Sequence, residues 1–312
     1  MRLTFSDDAI SGPCILVLGM FDGVHTGHAW LLRTAREWGL LEKLPVVVCT
    51  FLQHPLTLIR PQAAPPMLST VPERAARMAQ LKADALLALP FDRAMMNMKP
   101  EKFVQRLVTK LSPRHVVVGF NYTFGLGGEG DAKLLKKMGK IFGFDVHVVS
   151  PVQVDGHTVS SSRVRDLLEE GNVELACKLL ERPYAVAGLV EHGKGVGKQI
   201  GFPTANIAIP ERKALPAYGI YIARVKTPKG TYPAVVSLGR HPTLPEGGIT
   251  LEAHLLDRSE DLYGQKIRVK FLRRIRSEIK FAGIQSLKAQ IERDVLEAKA
   301  YFARHNTMRF GE

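Results

Sequence analysis

The stretch CILVLGMFDGVHTGHAWLLRTAREWGLL, residues 14–41, decides the fold class of the first half of the chain. It opens with the apolar run Cys14–Leu18, passes through GMFDGVHTGH at 19–28, and continues with apolar residues at helical spacing. A buried strand that leads through a glycine-bearing turn into a helix is the first half of a βαβ unit. The stretch therefore predicts an α/β domain.

Further apolar runs continue this pattern as far as residue 150, namely PVVVCTF, DALLALPF, HVVVGF and DVHVVS. Helical stretches such as PERAARMAQLKA separate them. Strands of near-continuous apolar character that alternate with helices predict a parallel sheet covered on both faces, a Rossmann-like fold. Residues 161–180 then read as two short helices broken at Gly171.

The pattern changes near Arg182 and Pro183, after which strand-like segments dominate. These segments are YAVAGLVEHG, GIYIARVKT, YPAVVSLG, ITLEAHLLD and KIRVKFLRRIR. Successive strands without crossover helices predict an antiparallel sheet or small β-barrel. A terminal amphipathic helix follows, with apolar residues at Leu287, Ile291, Val295 and Phe302. We therefore predict two domains, 1–182 and 183–312.

Length and charge agree with two domains and with anionic partners. The chain has 312 residues, more than one core usually serves, and a formal net charge of +13. Residues 183–312 hold 21 Lys and Arg against 12 Asp and Glu. Nucleotide phosphates and nucleic acid both fit this charge. In KIRVKFLRRIR basic and apolar residues alternate as in a half-buried strand, which favours a solvated strand face over nucleic-acid contact.

The start of the chain and its cysteines indicate a cytoplasmic protein without membrane attachment. MRLTFSDDAI lacks the long apolar core of a signal peptide. Cys14, Cys49 and Cys177 are scattered, so neither a disulfide framework nor a thiolate metal site is expected. Nothing in the sequence indicates an oligomeric state.

Two histidines form the first chemical motif. His25 and His28 flank the start of the predicted helix, where free backbone N–H groups and the helix dipole favour phosphate. Glycines at 19, 23 and 27 would let the backbone approach such a ligand closely. A zinc-binding pair and an ordinary structural pair are the alternatives.

The second motif is GKGVGKQIGFPTAN at 193–206. Thr204 and Asn206 stand two apart and project to one side of an extended segment, and their oxygens suit Mg²⁺ and phosphate. Glu252 lies in TLEAHLLD on the face opposite Leu251 and Ala253. Taken alone, the segment 193–206 favours a hairpin with a loop, and Glu252 favours an exposed strand residue.

GMFDGVHTGH resembles the histidine-glycine-histidine signature of the nucleotidyltransferase superfamily, and in particular looks like the bacterial bifunctional riboflavin kinase/FAD synthetase family. The likeness continues in order over nearly the whole chain. It runs through TFLQHP (50–55), VVVGFNYTFGLGGEGD (116–131), VSSSRVRDLLEEGNVELACKLLERPY (159–184), GKQIGFPTANI (197–207), SLGRHPTL (237–244), LEAHLLD (251–257) and DLYGQKIRVKFLRRIRSEIKF (261–281).

The resemblance implies that the first domain transfers AMP from ATP to FMN, releasing pyrophosphate and giving FAD, with Mg²⁺. It implies that His25 and His28 are catalytic and that His54 and Asn121 bind the flavin. The residues it implies for ATP phosphates are Gly19, Phe21, Asp22, Gly23, Ser161, Ser162 and Arg163. A helix cap at 160–163 and a turn at Asn121 remain alternatives.

For the second domain the resemblance implies a riboflavin kinase, which makes FMN from riboflavin and ATP. Glu252 is then the catalytic base, Thr204 and Asn206 hold Mg²⁺, and Gly193, Gly195 and Gly197 contact phosphate. A transferase for another phosphorylated acceptor, and a flavin-sensing protein that binds RNA with vestigial active sites, are the rival interpretations.

Overall fold

The computed structural model describes residues 1–10, 12–193, 196–240, 248–258 and 260–305. The chain divides into two compact units, Met1–Ser161 and Ser162–Glu312. No helix within the described ranges is long and apolar enough to cross a membrane.

The first unit is a six-stranded sheet flanked by helices. Its strands are β1 (Arg2–Thr4), β2 (Cys14–Leu18), β3 (Val46–Phe51), β4 (Ala85–Leu89), β5 (Pro113–Gly119) and β6 (Asp145–Val149), with a small hairpin of β7 (Gln153–Val154) and β8 (His157–Thr158). Its helices are α1 (Thr26–Glu42), α2 (Leu56–Ile59), α3 (Val71–Gln80), α4 (Arg93–Met96), α5 (Pro100–Leu111) and α6 (Ala132–Phe142). The strand order is β1-β4-β3-β2-β5-β6, and every neighbouring pair is parallel.

The sheet is buried on both faces, as its near-continuous apolar strands predict. Ile15 and Val17 of β2 pack in one core with α1 and α3, whereas Leu16 and Leu18 pack in a second core with α5 and α6. Successive side chains of a strand point to opposite faces, so β2 contributes to both cores. The predicted Rossmann-like parallel sheet is confirmed.

The sheet order places a crevice beside the first motif. The chain leaves β2 for β3 on one side, and β5 lies on the other side of β2. In parallel sheets ligands bind outside the carboxyl ends of the strands, where the order reverses. Residues 19–28 follow the carboxyl end of β2 directly and therefore lie at this reversal.

A chain of hydrogen bonds lies near the opposite, amino-terminal edge of this sheet. Buried His115 contacts Glu42 Oε1 through Nε2 at 2.9 Å and His147 Nε2 through Nδ1 at 2.9 Å. The Trp38 ring stacks on both imidazoles, with centroid distances of 4.4 and 4.6 Å. Burial, and then the neighbouring His115, lowers the pKa of His147.

Two helices, α7 (Ser161–Glu169) and α8 (Val173–Leu180), precede a barrel, and all of these elements except Ser161 belong to the second unit. The break predicted at Gly171 is confirmed, since Gly171 has a φ of 81° between the helices. The remaining elements are β9 (Ala185–Glu191), α9 (Val196–Gln199), β10 (Ala205–Ile207), β11 (Gly219–Thr227), β12 (Gly230–Arg240), β13 (Ile249–Leu255), β14 (Lys266–Arg276) and α10 (Ile284–Arg304).

The six strands β9 to β14 close into an antiparallel barrel in the order β10-β13-β12-β11-β14-β9. Tyr221 and Phe271 are fully buried and meet edge to face at 5.2 Å, whereas Ile222 and Leu272 pack with Ala298 of α10. Alternate residues thus fill the barrel and support the terminal helix. The predicted barrel with its C-terminal helix is confirmed.

Helices α7 and α8 pack on the barrel. The Ala217 N–H donates to Leu168 O at 2.7 Å, α8 contacts β14, and the Arg274 side chain lies against Gly171. The contacts divide the chain after Ser161, upstream of the boundary predicted at residues 182–183. Which boundary defines an independently folding domain stays a prediction.

Candidate active sites

The loop at 19–28 brings the two histidines together at the start of α1. His25 is the N-cap of this helix, and its Nδ1 accepts the His28 N–H at 3.4 Å. The two imidazole rings are stacked, with a centroid distance of 3.7 Å and an interplanar angle of 16°. A pair of ring N–H donors beside a helix N-terminus suits an anionic ligand. For the described residues, no group of three or more His, Cys, Asp or Glu could hold a metal ion.

The backbone of this loop is strained. Phe21 and Val24 have positive φ angles of 52° and 41°, in the left-handed region that a β-branched residue rarely adopts. Each such residue costs about 1–3 kcal/mol and persists only where its surroundings hold it. Strain of this kind is concentrated at ligand-binding loops.

The side chain of Asp22 supplies part of that support. Its carboxylate is 1% exposed and accepts the Leu68 N–H at 2.9 Å, the Ser69 N–H at 3.0 Å and the Ser69 hydroxyl at 3.1 Å. The Gly23 N–H donates to Ser69 Oγ at 2.8 Å. Asp22 therefore anchors the loop to the segment before α3, and its carboxylate is engaged by these donors.

The absence of a side chain at Gly19 leaves room for the ring of Phe21. The Phe21 ring is fully buried in the core beneath α1 and lies 5.0 Å from the His28 ring. A Cβ on Gly19 would stand 3.0 Å from the Phe21 ring, so glycine leaves the room that the ring needs. Any phosphate contact of Phe21 is thus left to its backbone.

The other predicted residues of the first unit lie at the same edge of the sheet. His54 follows β3, and its Nδ1 accepts the Leu56 N–H at 3.2 Å. Asn121 is exposed in the turn after β5. Because β3 and β5 flank β2 in a parallel sheet, these residues and the 19–28 loop share the carboxyl edge.

The serine-arginine segment begins against the loop. Ser161 Oγ donates to Asp22 O at 2.9 Å, so the last residue of the first unit contacts the 19–28 loop. Ser162 is exposed and Arg163 is half-buried on the first turn of α7. Both follow Ser161 directly in the chain.

The first unit also contains a residue that sequence reasoning missed. Arg74 of α3 is 0% exposed, and it lies beneath the carboxyl ends of β2 and β3. Burial lowers its pKa, and the nearby Asp22 carboxylate acts in the opposite direction. In sequence it is one of three charged residues of PERAAR, and only the tertiary contacts distinguish it.

In the second unit the predicted kinase residues lie together on β10 and β13. Thr204 Oγ1 donates to Glu252 Oε2 at 3.1 Å. Asn206 of β10 is directly opposite Glu252 of β13 in the antiparallel register. Leu251 and Ala253 are buried on the other face, as the alternation predicts. Facing residues of an antiparallel pair share one face, so Thr204, Asn206 and Glu252 form one constellation.

Two of the three predicted glycines lie against this constellation. A Cβ on Gly193 would stand 2.1 Å from Asn206 Nδ2, and one on Gly197 would stand 2.4 Å from Phe202 O and 3.3 Å from Thr204 Oγ1. Only glycine permits these approaches without displacement. Gly195 is outside the described residues.

The donor set of this constellation fits Mg²⁺. A hydroxyl, an amide oxygen and a carboxylate are the hard oxygen ligands that this ion prefers. Thr204 directs its proton to Glu252, which leaves the lone pairs of its hydroxyl oxygen available for a cation.

Comparison with known proteins gives two family models that divide the chain. The model described as FAD synthetase matches residues 7–163, and the one described as riboflavin kinase matches residues 180–302. The first range contains the histidine loop, His54, Asn121 and 161–163. The second contains the constellation on β10 and β13.

Relatives of known name match almost the full length. The bifunctional riboflavin kinase/FMN adenylyltransferase of Escherichia coli (strain K12) is 39% identical over 291 residues, covering 93% of each chain. The protein of the same name from Listeria monocytogenes is 33% identical over 296 residues, again covering 93% of each chain.

A crystal structure described as a macrolide-efflux protein from Streptococcus pneumoniae superposes with a TM-score of 0.86 at 30% identity, covering 95% of this chain and 98% of that one. The two family models and the full-length identity to relatives of one name agree. The chain belongs to the bifunctional riboflavin kinase/FMN adenylyltransferase family.

Proposed function

We propose that this chain phosphorylates riboflavin to FMN in its second unit and adenylylates FMN to FAD in its first. The observation that carries the proposal is that each matched family region contains its own set of polar side chains. The stacked His25 and His28 lie in the first set, and the hydrogen-bonded Thr204 and Glu252 lie in the second.

In the adenylylation, an oxygen of the FMN phosphate attacks the α-phosphorus of ATP, and pyrophosphate leaves. The enzyme must hold two anions in line and stabilise charge on the leaving group. We assign the ATP phosphates to the 19–28 loop, with His28 and His25 as side-chain donors at the start of α1. Ser161, Ser162 and Arg163 complete the grip, since a guanidinium donates to two phosphate oxygens at once.

We assign the flavin to the neighbouring part of the same sheet edge. His54 and Asn121 follow the strands on either side of β2, so a flavin phosphate between them would lie next to the α-phosphate. The imidazole and the amide each supply a donor to that phosphate.

In the kinase reaction, the primary hydroxyl of riboflavin attacks the γ-phosphorus of ATP, and ADP leaves. Glu252 is the base that accepts the hydroxyl proton. The Thr204 hydroxyl orients the carboxylate from 3.1 Å. Gly193 and Gly197 let the backbone approach phosphate closely, and Gly195 is assigned the same role.

The proposal includes Mg²⁺ as a cofactor of both reactions. Thr204 and Asn206 would hold it in the kinase unit, where it neutralises phosphate charge. The residues of this chain then orient the hydroxyl and accept its proton.

The test is incubation of the purified chain with riboflavin, ATP and Mg²⁺, followed by chromatography of the flavins. FMN and FAD should both form. A chain that yields neither refutes the proposal, and one that yields FMN alone refutes the adenylylation half. FMN supplied in place of riboflavin tests that half directly.

A further inference from the structure

Arg74 has the largest fully buried side chain of the described residues, and the reaction proposed above gives it no role. A charged group removed from water is strongly destabilising unless its donors are satisfied. A functional role of Arg74 would explain why a charged side chain is buried at this position.

The guanidinium joins the ends of two strands. Nη1 donates to Phe51 O at 2.8 Å and to Met20 O and Thr50 Oγ1 at 3.2 Å, and Nη2 donates to Leu52 O at 2.8 Å. Met20 continues β2 and the other three residues end or continue β3. Thr50 Oγ1 also donates to Met20 O at 2.8 Å, which tightens the junction.

Both strand ends lead into the proposed adenylylation site. The residue after Met20 is Phe21, whose positive φ begins the strained part of the histidine loop. Two residues after Leu52 comes His54. The segment that precedes α3 holds Asp22 and Gly23 through Leu68 and Ser69. Arg74 and the segment before α3 thus contact the loop on both sides of Phe21, at Met20 and at Asp22 and Gly23.

We propose that Arg74 is a positioning residue that fixes the ATP loop at 19–28 and the flavin segment at 52–55 relative to each other. This inference rests on the proposed function of the first unit. A planar guanidinium can donate to several carbonyl oxygens of a fixed plane at once, whereas a lysine ammonium is a compact point charge on a flexible stem. Its positive charge also lies beneath a loop assigned to a triphosphate.

Arg74→Lys keeps the charge and removes the planar fork. We expect kcat/KM for FMN adenylylation to fall by about 10-fold to 10²-fold, the scale of a small misplacement of reacting groups. The KM values for ATP and FMN should rise together, because the residue acts on both segments. Riboflavin kinase activity of the same protein should stay at the parental level and serves as an internal reference.

The matched control is Arg77→Lys on the same helix. Arg77 is half-buried and donates to Gln80 Oε1 at 3.3 Å, within α3. Its replacement should leave both KM values of the adenylylation unchanged.

The split between kcat and KM separates positioning from a merely structural role. A substitution that only unfolds part of the protein lowers the active fraction, hence the apparent kcat, and leaves KM unchanged. Parental KM values for both substrates in Arg74→Lys would therefore overturn the inference, whatever happens to its melting temperature.

Should Arg74→Lys fail to fold, Thr50→Val decides instead. This near-isosteric change removes the hydroxyl that bonds both Arg74 and Met20, and it too should raise both KM values. Parental KM values in Thr50→Val would then overturn the inference.

Failure of this inference can be distinguished from failure of the proposed function. An unsubstituted chain that does not adenylylate FMN would refute the proposed function. Amide hydrogen exchange, which requires no activity, then tests the inference. Exchange of the Gly23 amide should be faster in Arg74→Lys than in Arg77→Lys, and equal rates would overturn it.

Discussion

Glu252→Gln separates proton transfer from packing in the barrel. Glutamine keeps the shape of the side chain, and its carbonyl oxygen can still accept the hydrogen bond from the Thr204 hydroxyl, whose Oγ1 lies 3.1 Å from Glu252 Oε2. Leu251 and Ala253 on the buried face are unchanged. The substitution therefore removes the capacity to accept a proton while it conserves the observed hydrogen bond.

The expected magnitude follows from that single loss. Removing a general base typically costs about 10² to 10⁴ in rate, so riboflavin kinase turnover should fall by at least about 10². The assay is FMN formation from riboflavin at saturating ATP and Mg²⁺. FMN adenylylation by the same variant should be unchanged.

Asp257→Asn is the control, because Asp257 is the other carboxylate that β13 leads to. Its Oδ1 accepts from Lys299 Nζ at 2.6 Å on the exposed side of α10, so its replacement should leave turnover near the parental value. Parental turnover in Glu252→Gln, or a defect confined to KM, would refute Glu252 as the base.

Three further outcomes are expected. Gly193→Ala should lower kinase kcat/KM by about tenfold or more and spare adenylylation, because the new Cβ would lie 2.1 Å from Asn206 Nδ2; parental kinetics would show that Asn206 moves without consequence. The lowered pKa of His147 means that the unfolded chain takes up protons more readily below about pH 6.5, so melting temperature should fall from pH 7 to pH 5, and less so in His147→Gln. A fragment starting at Ser162 should make FMN but no FAD and melt above one starting at Pro183, which lacks the two helices packed on the barrel; equal melting temperatures would contradict this packing.

The elements that the sequence predicted are those in which burial follows a regular pattern, either continuous or alternating. Cys14–Leu18 is buried at every position, and β14 alternates between buried Ile267 and Val269 and partly exposed Arg268 and Lys270. Such patterns report which face a strand presents, without knowledge of its neighbours. They were sufficient for the parallel sheet, the barrel and the terminal helix.

From the sequence, only the part of the site geometry that depends on nearby residues of one strand could be predicted. The spacing of Thr204 and Asn206 placed both on one face, but the approach of Thr204 to Glu252 depends on the pairing of β10 with β13 across 46 positions. No periodicity encodes that pairing. Asp22 is a second example, because its anchors lie 46 and 47 residues away at Leu68 and Ser69.

Arg74 shows why a buried charge escapes sequence reasoning. An arginine on an amphipathic helix is ordinarily solvated, and its neighbours Glu73 and Arg77 are partly exposed. Its burial depends on carbonyl oxygens at the ends of two strands, which become close only in the folded sheet.

The central claim is that one chain contains two separate active sites, and complementation tests it most directly. With riboflavin, ATP and Mg²⁺, His28→Ala should accumulate FMN, with FAD formation lowered by about 10² or more, the scale of losing one charge-stabilising donor. Glu252→Gln should form little of either product but convert supplied FMN to FAD. An equal mixture of the two variants should convert riboflavin to FAD, through FMN released by the first and adenylylated by the second. A mixture that forms no FAD, or a single substitution that abolishes both reactions in a folded protein, would contradict the account.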